Sequence, residues 1–112
     1  MKVLLTGGAG FIGSHLTESL LEDDHKVTIV DNYCSSQESN IEHLREKEDL
    51  DIKEKDVLDK LEFERNFDYI LHFASIASTE NYQNHPIHTL RTNSEGTLKM
   101  LKLADKHNSK CM

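Results

Sequence analysis

Val3-Leu4-Leu5-Thr6-Gly7-Gly8-Ala9-Gly10-Phe11-Ile12-Gly13 decides the fold. A short apolar run meets a glycine-rich turn and then opens an amphipathic segment. That is the order of a strand turning sharply into a helix, a geometry that suits the pyrophosphate of a dinucleotide. Gly7 permits a tight turn with positive φ. Gly10 lets backbone approach a phosphate with no Cβ in the way, and Gly13 lets the new helix pack close to the strand. The first helical turn then offers unpaired N–H groups and partial positive charge to an anion. Glycines at this spacing say little alone; the residues after them supply the weight.

Ile12, Leu16 and Leu20 recur at helical spacing and predict a helix over 11–22, ended by Glu22-Asp23-Asp24-His25. Val27-Thr28-Ile29-Val30 is a β-branched run closed by Asp31. An acidic residue at the end of a second strand is placed to hold adenosine ribose hydroxyls. Asp31 follows Gly13 by 18 residues, against an expected spacing of about 20. With no arginine immediately after it, Asp31 favours NAD over NADP, whose 2′-phosphate it would repel.

The same reading places strands at 2–6, 27–31, 51–55 and 69–73. Helices are expected at 11–22, about 37–47 and about 84–107, with a helical turn at about 59–66. Strands alternating with helices give an α/β fold with right-handed crossovers. The expected architecture is a Rossmann-type doubly wound parallel sheet, truncated, with strand order 3-2-1-4. Asp51-Ile52-Lys53-Glu54-Lys55 is charged enough to be an edge strand. In the last helix Asn84 is the expected cap and Pro86 suits the first turn. Ile87, Leu90, Leu98, Leu101 and Ala104 are expected to face the sheet. Leu103 and Met100 widen that surface and suggest a second packing partner, a homo-oligomer subunit or a missing C-terminal catalytic half. Ser109-Lys110-Cys111-Met112 reads as the beginning of a fifth strand. Residues 1–112 are thus expected to be one dinucleotide-binding domain, its N-terminal part only, without a substrate domain.

The 112 residues carry a formal net charge of −7, which argues against a nucleic-acid surface. Cys34 and Cys111 lie far apart, suggesting neither a zinc site nor a disulfide scaffold and fitting a reducing cytoplasm. No signal peptide is read at the N-terminus. No apolar run reaches the roughly 20 residues that span a membrane.

Two further strand ends carry chemistry. Asp56-Val57 follows the third strand, where a carboxylate can accept from an adenine amino group and the next backbone amide can read the ring. Tyr69-Ile70-Leu71-His72-Phe73-Ala74-Ser75 is an apolar strand ending in small residues beside the glycine loop. Small side chains there let backbone approach a nicotinamide ribose. His72 precedes the strand end and is assigned to packing. His85 and His88 stand one helical turn apart with no third ligand nearby, so no metal site is expected.

Gly7-Gly8-Ala9-Gly10-Phe11-Ile12-Gly13, Val30-Asp31-Asn32, Asp56-Val57, His72-Phe73-Ala74-Ser75 and Asn93-Ser94-Glu95-Gly96-Thr97 together resemble the NAD-dependent epimerase/dehydratase family, the extended short-chain dehydrogenases/reductases. The resemblance spans nearly the whole chain. Ala74-Ser75-Ile76-Ala77-Ser78, Asn81-Tyr82, Asn84-His85-Pro86-Ile87 and Thr89-Leu90-Arg91-Thr92-Asn93 are similar to its UDP-glucuronate decarboxylase (UDP-xylose synthase) branch. Ile76, Thr79-Glu80, Arg91 and Lys99 depart from that branch, which has proline, a Pro-Pro pair, lysine and asparagine there. Related alternatives are a fragment of a nucleotide-sugar 4-epimerase or 4,6-dehydratase, or a stand-alone, non-catalytic dinucleotide-binding module.

The resemblance implies roles residue by residue. Gly7, Gly10, Phe11, Ile12 and Gly13 would line the NAD pyrophosphate. Asp31 and Asn32 would hold the adenosine ribose, with Cys34 and Ser35 nearby, and Asp56 and Val57 would meet adenine. Phe73, Ala74 and Ser75 would flank the nicotinamide side, and Thr92 would touch the cofactor. Tyr82 and Arg91 would face a nucleotide sugar such as UDP-glucuronate. The family's base is a Tyr-x-x-x-Lys pair. Here Tyr33, Tyr69 and Tyr82 are followed four positions on by Gln37, Phe73 and Pro86, so no catalytic residue is assigned.

Overall fold

A computed structural model describes residues 1–112. The chain runs β1 (Lys2–Thr6), α1 (Phe11–Glu22), β2 (Lys26–Asp31), β3 (Leu50–Glu54), β4 (Tyr69–His72), α2 (Thr79–Asn84), α3 (Pro86–Arg91), α4 (Thr97–His107) and β5 (Lys110–Cys111). All pairings are parallel, in the order β3-β2-β1-β4-β5. The expected 3-2-1-4 order is therefore extended by a fifth strand, whose two residues pair with Tyr69 and Ile70. The charged third strand does form one edge.

Alternate residues of the apolar strands feed two cores, one per sheet face. Leu4, Val30 and Ile70 pack on one side with Met100 and Ala104 of α4. Leu5, Val27 and Ile29 pack on the other with Ala9, Ile41 and Leu44, flanked by Leu16 and Leu20 of α1. One helix covers each face, which is the doubly wound arrangement. Thr6 registers with Val30 on one side and His72 on the other, so the carboxyl ends of β1, β2 and β4 lie level. No helix is long and apolar enough to cross a membrane.

Several expected elements are corrected. The helix at about 37–47 is two single 3₁₀ turns, Glu38–Asn40 and Glu42–Leu44. No helix forms at 59–66, where irregular chain lays Leu61 and Phe63 against the core. The helix expected at about 84–107 runs unbroken from Pro86 to His107 as α3, a π-helical turn at Thr92–Gly96 and α4, and a separate short helix, α2, precedes it. Asn84 does not cap the long helix but ends α2; His85 stands at the N-cap of α3 without a side-chain cap, while Ser78 caps α2 by accepting from the Asn81 N–H. Ile12 of the predicted α1 stripe is exposed.

The sheet-facing stripe also differs. Ile87, Leu90, Leu98 and Leu101 are 51–73 % exposed. The residues buried against the sheet are Thr92, Gly96, Met100 and Ala104. Close approach selects them: a Cβ on Gly96 would stand 2.9 Å from Val57 Cγ2. Helix and sheet are too near for a leucine there, so small residues make the contact and Met100 alone fills depth.

Candidate functional site: a cleft at the carboxyl end of the sheet

Gly7 takes φ +73°, the left-handed region, and its N–H donates to the Val30 carbonyl at 2.9 Å. The turn then closes with Gly10 N–H donating to the Gly7 carbonyl at 3.1 Å. A Cβ on Gly13 would lie 2.1 Å from that same carbonyl oxygen. Helix α1 can start here only because that position is bare. Gly10 is its N-cap and gives no side-chain cap. The first intrahelical bond runs from Ser14 N–H to Gly10, which leaves the Phe11, Ile12 and Gly13 amides to a ligand or water. They form an anion cradle at the mouth of the cleft.

Asp31 is 7 % exposed and closes the next wall. Its Oδ2 accepts from the Ala9 N–H at 2.9 Å, so the carboxylate staples the glycine loop. Its Oδ1 accepts from the Tyr33 N–H at 2.9 Å and the Ser36 hydroxyl at 2.8 Å. Tyr33 holds φ +56°, which turns the chain sharply after β2. Three donors on four acceptor positions leave one, on Oδ2, for a ligand hydroxyl.

Asp56, after β3, is held from three directions. Its Oδ1 accepts from the Leu58 N–H at 2.9 Å. Its Oδ2 accepts from Asn32 Nδ2 at 2.9 Å and His88 Nε2 at 2.7 Å. Burial pushes the carboxyl up, but the bonds from Leu58, His88 and Asn32 outweigh it and hold Asp56 below its ordinary value. The Asp56 amide donates to Asp59 and the Leu58 amide to Asp56 itself. The Val57 N–H between them has no backbone partner within the chain.

At the end of β4, Thr6 Oγ1 accepts from the Ala74 N–H at 3.1 Å and sits 2.7 Å from His72 Nδ1. The Thr6 hydroxyl donates to a bare Nδ1, leaving the proton of the ring on Nε2. Burial lowers the His72 pKa, and the Thr92 carbonyl beside the ring opposes that shift. His72 is thus a neutral strut between β1 and the π turn, in keeping with its assignment to packing. Thr92 itself is 5 % exposed, and its Oγ1 is buried on the cleft wall with no partner.

These walls enclose one open cleft. Of the cofactor residues named from sequence, Gly7, Gly10, Asp31, Asn32, Cys34, Ser35, Asp56, Val57, Phe73, Ala74, Ser75 and Thr92 line it. Phe11, Ile12 and Gly13 do not; their side chains or packing face elsewhere and only their amides are placed for a ligand. Tyr82 and Arg91 are also outside it, and Arg91 is bound to Glu95 across one turn of exposed helix. Sequence reasoning missed Val30, Ser36, Lys55, Ile76 and His88. Ser36 was legible as a hydroxyl just past Asp31. His88 was not, because nothing near it in sequence shows that the first turn of this helix lies over Asp56, 32 residues earlier.

Comparison with known proteins agrees with this geometry. Residues 3–112 match the model of the NAD dependent epimerase/dehydratase family. UDP-glucuronic acid decarboxylase 1 of Danio rerio is 48% identical over 105 residues, covering 94% of this chain and 25% of the relative. Pal from Bacillus thuringiensis superposes with a TM-score of 0.90 at 31% identity, over 99% of this chain and 37% of that one. A UDP-glucose-4-epimerase from Stenotrophomonas maltophila, solved with bound NAD and formylated UDP-arabinopyranose, gives a TM-score of 0.82 at 32% identity, over 97% and 34%. The chain therefore spans about a quarter of the curated relatives and about a third of the solved structures. On its fold, its cleft and the match across nearly all its length, the chain belongs to the NAD-dependent epimerase/dehydratase family.

Proposed function

We propose that this chain is the NAD-binding portion of a nucleotide-sugar-modifying enzyme of the UDP-glucuronate decarboxylase kind. The observation that carries the cofactor is the cleft itself. A bare-glycine loop, a spare acceptor on Asp31, a free Val57 N–H and the orphaned Thr92 hydroxyl share one cleft, next to three unclaimed amides at the start of α1. That donor and acceptor order fits pyrophosphate, ribose and adenine in turn. The glycine loop and the amides of Phe11, Ile12 and Gly13 would hold the pyrophosphate. Asp31 would hold the ribose, Asp56 and Val57 the adenine, and Phe73, Ala74, Ser75 and Thr92 the nicotinamide half. NAD bound there supplies a hydride acceptor for the sugar, which in a decarboxylase is returned after CO₂ is lost.

The decarboxylase branch is favoured over the epimerases by the 48% identity to the Danio rerio enzyme, against 34% to a bifunctional 4-epimerase of Pisum sativum. These 112 residues hold no Tyr-x-x-x-Lys pair, so the chain alone binds cofactor without converting a sugar. Calorimetric titration with NAD tests this, followed by incubation with UDP-glucuronate. Saturable binding with no UDP-xylose formed is the expected result. A folded chain that ignores NAD overturns the proposal, and UDP-xylose made by the chain alone overturns its non-catalytic part.

A further inference from the structure

Lys99 departs from the decarboxylase branch, which has asparagine there, and takes no part in the cleft lining. Its ammonium donates to the Leu58 carbonyl at 2.7 Å and to the Asp59 carbonyl beside it. Those carbonyls end the turn that carries Asp56 and Val57. Within the turn, the Asp59 N–H donates to the Asp56 carbonyl at 3.0 Å. The Asp59 carboxylate accepts from the Asp56 N–H, and the Asp56 carboxylate from the Leu58 N–H, each at 2.9 Å. Every amide from Asp56 to Asp59 is thus taken except that of Val57. Lys99 is the one side chain from outside the turn that holds its backbone. It can do so because the helix runs close: a Cβ on Gly96 would lie 2.9 Å from Val57 Cγ2. Gly96 and Lys99 stand one helical turn apart on the same face, so the unbroken helix meets this turn at two points. Lysine has the reach and three donors for both carbonyls; asparagine is shorter and has two.

We propose that Lys99 is a positioning residue that sets the selectivity of the cleft for adenine over other bases. This rests on the assignment of the cleft to NAD. The groups that would read the base belong to Asp56 and Val57, which line the cleft. Three donors leave the Asp56 carboxylate one open acceptor position, on Oδ1. The neighbouring Val57 N–H is an open donor. Adenine presents the complement, an amino donor beside a ring-nitrogen acceptor. The two groups match it together only while the turn keeps their spacing. By clamping the carbonyls on the far side of the turn, Lys99 fixes that spacing before the base arrives, so binding does not have to order the turn.

The test is the Kd of the chain for NAD and for nicotinamide hypoxanthine dinucleotide, in wild type, Lys99→Met and Lys99→Arg. The analogue carries a carbonyl in place of the amino group and a protonated ring nitrogen, so it offers the turn the wrong polarity. Both dinucleotides carry the same charge. Loss of the lysine charge, or a general loss of stability, therefore shifts the two Kd values together and leaves their ratio alone. Wild type should prefer NAD about tenfold, and Lys99→Met should reduce that preference to about twofold. Lys99→Arg keeps donors for both carbonyls and should hold the preference near the wild-type value. Circular dichroism checks that each variant folds; Lys99→Gln, a shorter donor, takes the place of Lys99→Met if the latter does not, and should also lower the preference. A ratio in the folded variant equal to that of wild type overturns this inference and leaves the cofactor assignment standing. A wild-type chain that binds both dinucleotides equally overturns the adenine reading of the turn. A folded chain that binds neither overturns the cofactor assignment, and the inference falls with either.

Discussion

Gly10 and Gly13 belong to one motif, yet the structure separates what each does, and a pair of alanine substitutions should separate them in solution. At Gly13 the new Cβ would stand 2.1 Å from the Gly7 carbonyl oxygen and 2.9 Å from Gly8 Cα. Both are backbone atoms of a turn already fixed by two hydrogen bonds, so no side chain can swing aside. Gly13→Ala should cost about 3 kcal/mol, the upper end for forced overpacking. With a urea m-value of about 1.5 kcal/mol/M for a domain of this size, the midpoint falls by about 2 M. At Gly10 the Cβ meets only the Gly7 carbonyl oxygen, at 3.2 Å. The backbone there is extended, with φ −72°, a region open to alanine. The lost chain freedom of the unfolded state offsets the contact, and Gly10→Ala should stay within about 1 kcal/mol of wild type. Its methyl stands in the anion cradle, where NAD affinity should drop at least about tenfold. Urea unfolding followed by circular dichroism, paired with calorimetric NAD titration, reads both quantities. A Gly10→Ala protein as unstable as Gly13→Ala, or one that binds NAD at full strength, refutes this division of labour.

Other residues give sharper readings of the same cleft. Asp31→Ala strands the Ala9 and Tyr33 amides and the Ser36 hydroxyl at a site only 7 % exposed, so stability should fall by about 3 kcal/mol. Asp31→Ala is thus a weak control for binding alone, and urea midpoints unchanged from wild type would show that the carboxylate is no staple. Acidification through and below pH 6.5 should destabilise the wild-type fold. Burial lowers the His72 pKa from 6.5, so the unfolded chain takes up that proton first and the stability present above 6.5 is lost as the pH falls. His107 is lowered in the same direction by burial and Lys106, so the His72 share is the difference between wild type and His72→Gln. Identical pH–stability curves for the two would remove His72 from the account.

What the residues disclosed in advance follows from how local each feature is. The glycine turn, the β-branched run ending at Asp31 and the small residues after β4 are each specified within a few positions. All of them stand where the sequence placed them. The long helix stands from Pro86 to His107, but its buried face was misread, because the strongest apolar stripe was taken for it. Ile87, Leu90, Leu98 and Leu101 are large and exposed, while Thr92, Gly96, Met100 and Ala104 recur every fourth residue and lie against the sheet. Hydrophobicity marks a face that wants cover; small size marks a face that is near its cover. The second signal was present in Gly96 and Ala104, and a ranking by hydrophobicity alone passes over it. The region at 37–47 failed for another reason. Ile41 and Leu44 do bury, but through two 3₁₀ turns parted at Ile41, whose φ of −123° is not helical, while Asn40 at the end of the first turn donates its side-chain amide to the Ala9 carbonyl.

That last bond shows what organises the cleft. The Ala9 amide is held by Asp31 and its carbonyl by Asn40, so the peptide next to Gly10 is oriented from both sides before any ligand arrives. Asn32, Asp56 and His88 join the ends of β2 and β3 to α3 in the same way. Thr6, His72 and Ala74 join β1 to β4. Each strand end is thereby tied to a neighbour through a polar side chain, in addition to backbone bonds such as Gly7 N–H to Val30 and Phe73 N–H to Thr6. Such ties cost little when all donors and acceptors are matched, and they hold backbone amides at fixed spacing for an anion. A site built this way gains affinity from order already established, since the ligand need not freeze the loops itself.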